Sequence, residues 1–260
     1  MNVKTAGIAV FSIVAASSFA VASVQYDQNV TGDVIFGSGN ANGGFTTTRS
    51  SGLEIGIRGK LRFDAANQPQ NVYNSNGDGS YTFAAGNPPT GFGFDPNNPT
   101  TPIWNFDWSV NTDFDGSSGK SVDDYTYQIG MDADASAGTN FMTFDFITAG
   151  VAAPFWDHSF GTNATAANAG VEAGDVGTYN TLAGANNIAQ NSWNYEFFNG
   201  AGPLMAFDPT VAGNYEIYIA AFDGMSEIGR TTISINVVPA PGAMACLGMG
   251  GLLATRRRRA

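Results

Sequence analysis

A chain of 260 residues with 33 glycines, 11 prolines and 13% charged side chains has room for one large domain or two small ones. One lysine and four arginines lie in the first 22 and last 22 residues, where there is no acid, so the body between them holds 6 basic and 22 acidic groups, a formal net charge of about −16. That balance excludes nucleic acid as a partner, because neutralising phosphates takes a basic face, and with Cys246 as the only cysteine the body must be held without disulfides.

The chain opens with an export leader. Lys4 supplies a small positive n-region, residues 6–16 an apolar core, and Ala20-Val21-Ala22 a small-residue cleavage site that puts the mature N-terminus at Ser23. Residues 1–22 are therefore expected to meet an export translocon and a signal peptidase. Residues 23–238 are read as one body.

Period-two alternation is the main signal in that body. Leu53, Ile55, Ile57, Gly59, Leu61 and Phe63 alternate with Glu54, Gly56, Arg58, Lys60 and Arg62. The pattern predicts a half-buried strand, or two strands broken near Gly59. Arg49, Arg58, Lys60 and Arg62 make this the basic stripe of an acidic protein. It reads as a solvated face, with an internal ion-pair partner or a binding stripe as the alternatives. Residues 65–101 are rich in glycine and proline and predict long loops around one weak strand at 80–85, since Pro88, Pro89, Pro96, Pro99 and Pro102 break regular structure.

Aromatic alternation then repeats. Trp104, Phe106, Trp108 and Val110 predict one strand, Tyr125, Tyr127, Ile129 and Met131 a second, and Met142, Phe144 and Phe146 a third. Trp193, Tyr195 and Phe197 predict another, and residues 215–221 and 231–237 a closing hairpin around Asp223-Gly224. Residues 170–189 hold at most one short helix, with Val176, Tyr179 and Leu182 on one face. The fold expected is all-β: an antiparallel β-sandwich, immunoglobulin-like or jelly-roll-like, with long Gly/Pro/Asn-rich loops.

Three groups of residues invite a functional reading. Asn111, Asp113, Asp115 and Gly116 have the alternating oxygen ligands and sharp-turn glycine of the first half of a calcium loop. The twelfth position is Val122, with Asp123 and Asp124 just after it, so calcium competes with plain turn formation by Asn, Asp and Gly. Trp104 and Trp108 share a uniformly apolar strand face and read as core, whereas Trp156 and Trp193, beside polar loops, are the candidates for contact with a glycan. Catalytic signals are thin. His158 is the only histidine and there is no Gly-x-Ser-x-Gly elbow. A carboxylate-pair hydrolase is the remaining enzymatic alternative, without a pair singled out, and a non-enzyme is the expectation.

The last 22 residues complete the export logic. Pro239-Ala240-Pro241 is followed by a short Gly-rich apolar run and by Arg256, Arg257, Arg258 and Arg259. The run is shorter than the roughly 20 apolar residues of a membrane-spanning helix, and the arginines hold its end on the cytoplasmic side. This order of parts resembles the PEP-CTERM sorting signal, with Ala240 where the family carries glutamate. The resemblance covers about a tenth of the chain. It implies transient anchoring in the inner membrane, recognition and cleavage by an exosortase, and delivery to the cell envelope, outer surface or extracellular polysaccharide matrix. The reading drawn from the chain is an exported structural or adhesive protein, and the alternative is a calcium-stabilised carbohydrate-binding module.

Overall fold

A computed structural model of the chain describes residues 23–63, 71–89, 100–148, 157–198 and 207–240. Eleven strands appear among them: β1 (Ser23–Gln28), β2 (Phe45–Ser50), β3 (Leu53–Leu61), β4 (Ser80–Ala84), β5 (Trp104–Asn111), β6 (Thr126–Asp132), β7 (Phe141–Phe144), β8 (Ser159–Gly161), β9 (Ile188–Trp193), β10 (Gly213–Asp223) and β11 (Ser226–Val238). One helix, α1 (Val176–Ala185), precedes β9.

The strands form two sheets packed as a sandwich, one in the order β1-β2-β3-β5-β9-β8 and the other β4-β11-β10-β6-β7. All neighbours are antiparallel except β4 and β11, which run parallel. β10 and β11 are joined by the Asp223-Gly224 turn, with Asp223 opposite Ser226. Gly224 sits at φ +59°, left-handed backbone that glycine adopts without steric penalty. The hairpin expected from the alternation is therefore present.

Alternation also explains what lies between the sheets. Ile55 and Ile57 of β3, Trp104, Phe106, Trp108 and Val110 of β5, and Ile217, Ile219, Ile233 and Ile235 of the hairpin all belong to one buried cluster. Trp104 packs edge-on against Tyr195 at 5.3 Å, and Trp108 against Phe146 at 4.8 Å. Such aromatic pairs add to the burial of a large apolar area. β3 runs unbroken through Gly59, because the missing side chain lets the sheets approach closely. A Cβ there would lie 2.8 Å from Ile235 and 3.0 Å from Phe83 and Tyr81.

Two sequence expectations need correction. Trp193, Tyr195 and Phe197 are not one strand. β9 ends at Trp193, and residues 195–198 form a 3₁₀ turn. Asn194 makes the break, its Nδ2 donating to the Trp104 carbonyl at 2.9 Å while its Oδ1 accepts from the Glu196 amide at 3.1 Å. The second correction concerns the basic stripe: Arg58 and Lys60 are 0% and 1% exposed, so this is no solvated face.

Candidate functional site

The outer face of the six-stranded sheet is polar and yet buried. Register places Glu54 opposite Asn111, Arg58 opposite Asp107, and Lys60 opposite Asn105 across β3 and β5. β9 adds Ser192 opposite Asp107 and Gln190 opposite Ser109. These residues follow from strand period alone, since each alternates with a core residue. What the period does not reveal is their cover, a strap formed by residues 29–44.

The strap is held by the side chains it covers. Glu54 accepts from the Thr31 amide at 2.6 Å and from the Thr31 hydroxyl at 3.0 Å. Gln190 accepts from the Ile35 amide and donates to the Asp33 carbonyl, both at 2.8 Å. Arg58 Nη1 donates to the carbonyls of Ala41 at 2.8 Å and Gly43 at 2.6 Å. Asn111 donates to the Thr31 carbonyl at 3.1 Å. Buried backbone groups need partners, and here the sheet's polar side chains supply them. A small second apolar cluster, Val30, Val34, Phe36 and Phe45, fills the strap's underside.

Asp107 organises the charges. Its Oδ2 lies 2.8 Å from Arg58 Nε, 2.7 Å from Arg58 Nη2 and 3.2 Å from Lys60 Nζ. Burial pushes the Asp107 carboxyl up, but the charges of Lys60 and Arg58 together with hydrogen bonds pull it further down, to below the usual carboxylate range. Burial lowers the Lys60 amine, and Asp107 only partly restores it. The Arg58 guanidinium is also sandwiched between rings, 4.3 Å from the Phe45 centroid and 4.2 Å from that of Tyr73. One carboxylate, two rings, two carbonyls and the Asn40 amide oxygen, 2.7 Å from Lys60 Nζ, thus hold two buried cations.

At the Lys60 end this layer opens into a cleft of about 470 Å³. Lys60, Asn105 and Ser192 face it from the sheet, and Phe36, Ser38 and Asn40 from the strap. Arg62 and Phe63 follow β3, and Asn194, Glu196 and Phe197 follow β9. Asp157, Glu172 and Asn191 complete the lining. Asn191 Nδ2 donates to Asp157 Oδ1 at 2.9 Å, and Asn105 Nδ2 to Ser192 Oγ at 2.5 Å. Asp157 keeps solvent contact at the rim, yet the surrounding walls desolvate its carboxyl and raise its pKa. The Glu172 charge adds to that rise, and the Asn191 hydrogen bond works against it.

The residues expected to act from sequence do not gather here. Trp193 is 1% exposed, packed against Trp108 at 5.4 Å and Phe198 at 5.5 Å, so it presents no face to a glycan and that expectation is corrected. Trp156 lies outside the described residues, as do Ala20 and Ala22, the apolar tail and Arg256 to Arg259. Ser23 is the first residue of β1, and Pro239 and Ala240 follow β11 directly.

The five calcium candidates are occupied with their own loops. Asn111 is buried and bonded to Thr31 and Asn163. Asp113 Oδ1 accepts from the Ser118 amide at 2.7 Å, the Ser118 hydroxyl at 2.9 Å and the Gly119 amide at 3.1 Å. Asp115 accepts from the Ser117 amide, Asp123 from the Ser121 hydroxyl, and Asp124 from the Ser121 amide and Lys120. Among the described residues no cluster of three or more His, Cys, Asp or Glu is placed to hold a metal ion.

His158 is sealed in the core rather than exposed to a ligand. Tyr179 donates its hydroxyl proton to the Ile147 carbonyl at 2.5 Å, so the contact of 2.8 Å to His158 has Nδ1–H as donor. Burial drives the imidazole pKa down to about 3. The ring is neutral at physiological pH.

No protein-family model, curated protein or solved structure matches the chain. Among the described residues no helix is long and apolar enough to cross a membrane.

Proposed function

We propose that the chain is an exported structural or adhesive protein, led out by residues 1–22 and sorted to the envelope or polysaccharide matrix through residues 239–260. The observation that carries this reading is where the C-terminal segment meets the sandwich: β11 ends at Val238 and the Pro-Ala-Pro motif follows it directly. Removing both segments leaves every described strand intact. The body left by both cuts has no cysteine and a strongly acidic balance, so its stability rests on the aromatic core and the buried ionic layer. Its partners on this reading are the translocon, a signal peptidase and an exosortase-like enzyme.

Fractionation of a host that carries an exosortase, and of the same host lacking it, tests the assignment. The protein is expected in the outer-surface or matrix fraction of the first and in the inner membrane of the second. Equal distribution in both hosts contradicts sorting by the tail.

A further inference from the structure

The polar cleft at the end of the buried layer has the chemistry of a saccharide site. Its walls carry the carboxamides of Asn105 and Asn191 and the hydroxyls of Ser38 and Ser192, while those of Asn40 and Asn194 are bonded to Lys60 and Phe36 and to Trp104 and Glu196. A carboxamide offers a donor and an acceptor side by side, which matches a sugar hydroxyl that both gives and receives. Half-buried Phe197 supplies apolar surface for the C–H face of a pyranose, while Phe36 and Phe63 are buried behind the polar groups. A volume of about 470 Å³ lies within the usual range of small-ligand pockets, about 300–1,000 Å³.

Two further observations narrow the ligand. The Asn105 side chain is 3% exposed, and its Oδ1 is a buried acceptor without a hydrogen-bond partner among the described residues. Leaving such a group unmet is costly, so this wall calls for a donor from outside the protein. The charges in the cleft weigh against an anionic ligand. Three carboxylates, Asp157, Glu172 and Glu196, face two cations, and one of those, Lys60, is already paired with Asp107.

We propose that this cleft binds neutral hexose oligosaccharides, with Asn191 and Ser192 from β9 and Asn105 from β5 supplying the hydrogen bonds. The biological setting rests on the adhesive reading above, but the binding itself is testable apart from export. Failure of sorting would leave the cleft's affinity untouched, and failure of binding would leave the sorted location unchanged.

The full-length chain, purified in mild detergent, can be titrated calorimetrically with gluco-, manno- and galacto-hexasaccharides and with a galacturonate hexamer. At least one neutral hexasaccharide is expected to bind, and the galacturonate not. Asn191→Ala, which removes a half-buried amide, and Ser192→Ala, which removes a half-buried hydroxyl, are each expected to weaken binding roughly 10-fold. Met225→Ala, on the exposed hairpin turn, is expected to have no effect. Melting curves matching that of the unsubstituted chain establish that the variants fold. Absence of binding by all neutral sugars, binding of the galacturonate alone, or unaltered affinity in both folded cleft variants overturns the proposal. Shortening of a bound oligosaccharide during incubation overturns a role confined to binding.

Discussion

Arg58 and Asp107 face each other across β3 and β5 with Nη2 2.7 Å from Oδ2, and both side chains are 0% exposed. Taking two charges out of water is expensive, and removing one partner of such a pair costs more than replacing both. Asp107→Ala would leave Arg58 and Lys60 buried without a counter-charge. The expected loss is about 3–5 kcal/mol of unfolding free energy, readable as a lower midpoint in urea at pH 7. Replacing all three by apolar residues of similar volume is expected to recover much of it. A single Asp107→Ala substitution that leaves the midpoint unchanged would show that the layer is not organised on this carboxylate.

The same site has an acid limit. Because the Asp107 carboxyl is held below its ordinary value in the fold, its contribution is fully present above the unfolded value of about 3.9 and is lost as pH falls through the folded value.

His158 sets a second, higher pH window. Its pKa falls from 6.5 to about 3 on folding. Above pH 6.5 the ring is neutral in both states and contributes no slope. As pH falls below 6.5 the unfolded chain takes up a proton that the folded chain refuses, so stability declines toward pH 3. The slope from this one group approaches about 1.4 kcal/mol per pH unit once the unfolded imidazole is mostly charged. Urea unfolding at pH 7, 6, 5 and 4 reads it directly. His158→Gln is expected to flatten the curve between pH 6 and 5, and an identical slope in that variant contradicts the assignment.

Much of the sandwich could be read from alternation. β3, β4, β5, β6 and the β10–β11 hairpin lie where the apolar period put them, β7 stops at Phe144 short of Phe146, and Trp104 and Trp108 are core as their shared face implied. α1 falls within the alanine-rich stretch, with Tyr179 turned inward and its N-cap supplied by Asp175. β1 and β2 were not singled out, because Phe45-Thr46-Thr47-Thr48 shows β-branched content without an apolar alternation.

The cleft was illegible for a different reason. A strand pattern sorts side chains into two faces and assigns the charged one to water. Nothing local in residues 29–44 says that they will lie across Glu54, Arg58 and Gln190. Their bonds to that face span from 15 positions, as in Gly43 to Arg58, to 157, as in Asp33 to Gln190. Internal ion pairing, one of the readings open to the basic stripe, is what Asp107 provides. Trp193 was misplaced because an adjoining polar loop suggested exposure, while its own strand period turned it toward Trp108.

The Asp113 loop offers a discriminating substitution. Three donors converge on Asp113 Oδ1 within the turn 113–119, and they hold its carboxyl below the usual range, the Ser118 amide most of all. Asp113→Ala is expected to lower the melting temperature equally in calcium and in chelator, by an amount equivalent to about 1–2 kcal/mol, as for a lost cap. A loss seen only in calcium would mark the loop as an ion site instead.

The sandwich is proposed to be delivered outside the cell and trimmed at both ends. Intact mass spectrometry of the protein recovered from the surface or matrix fraction tests it most directly. The expected species begins at Ser23 and lacks Arg256 to Arg259. A product that retains both Met1 and the arginine block would contradict the account.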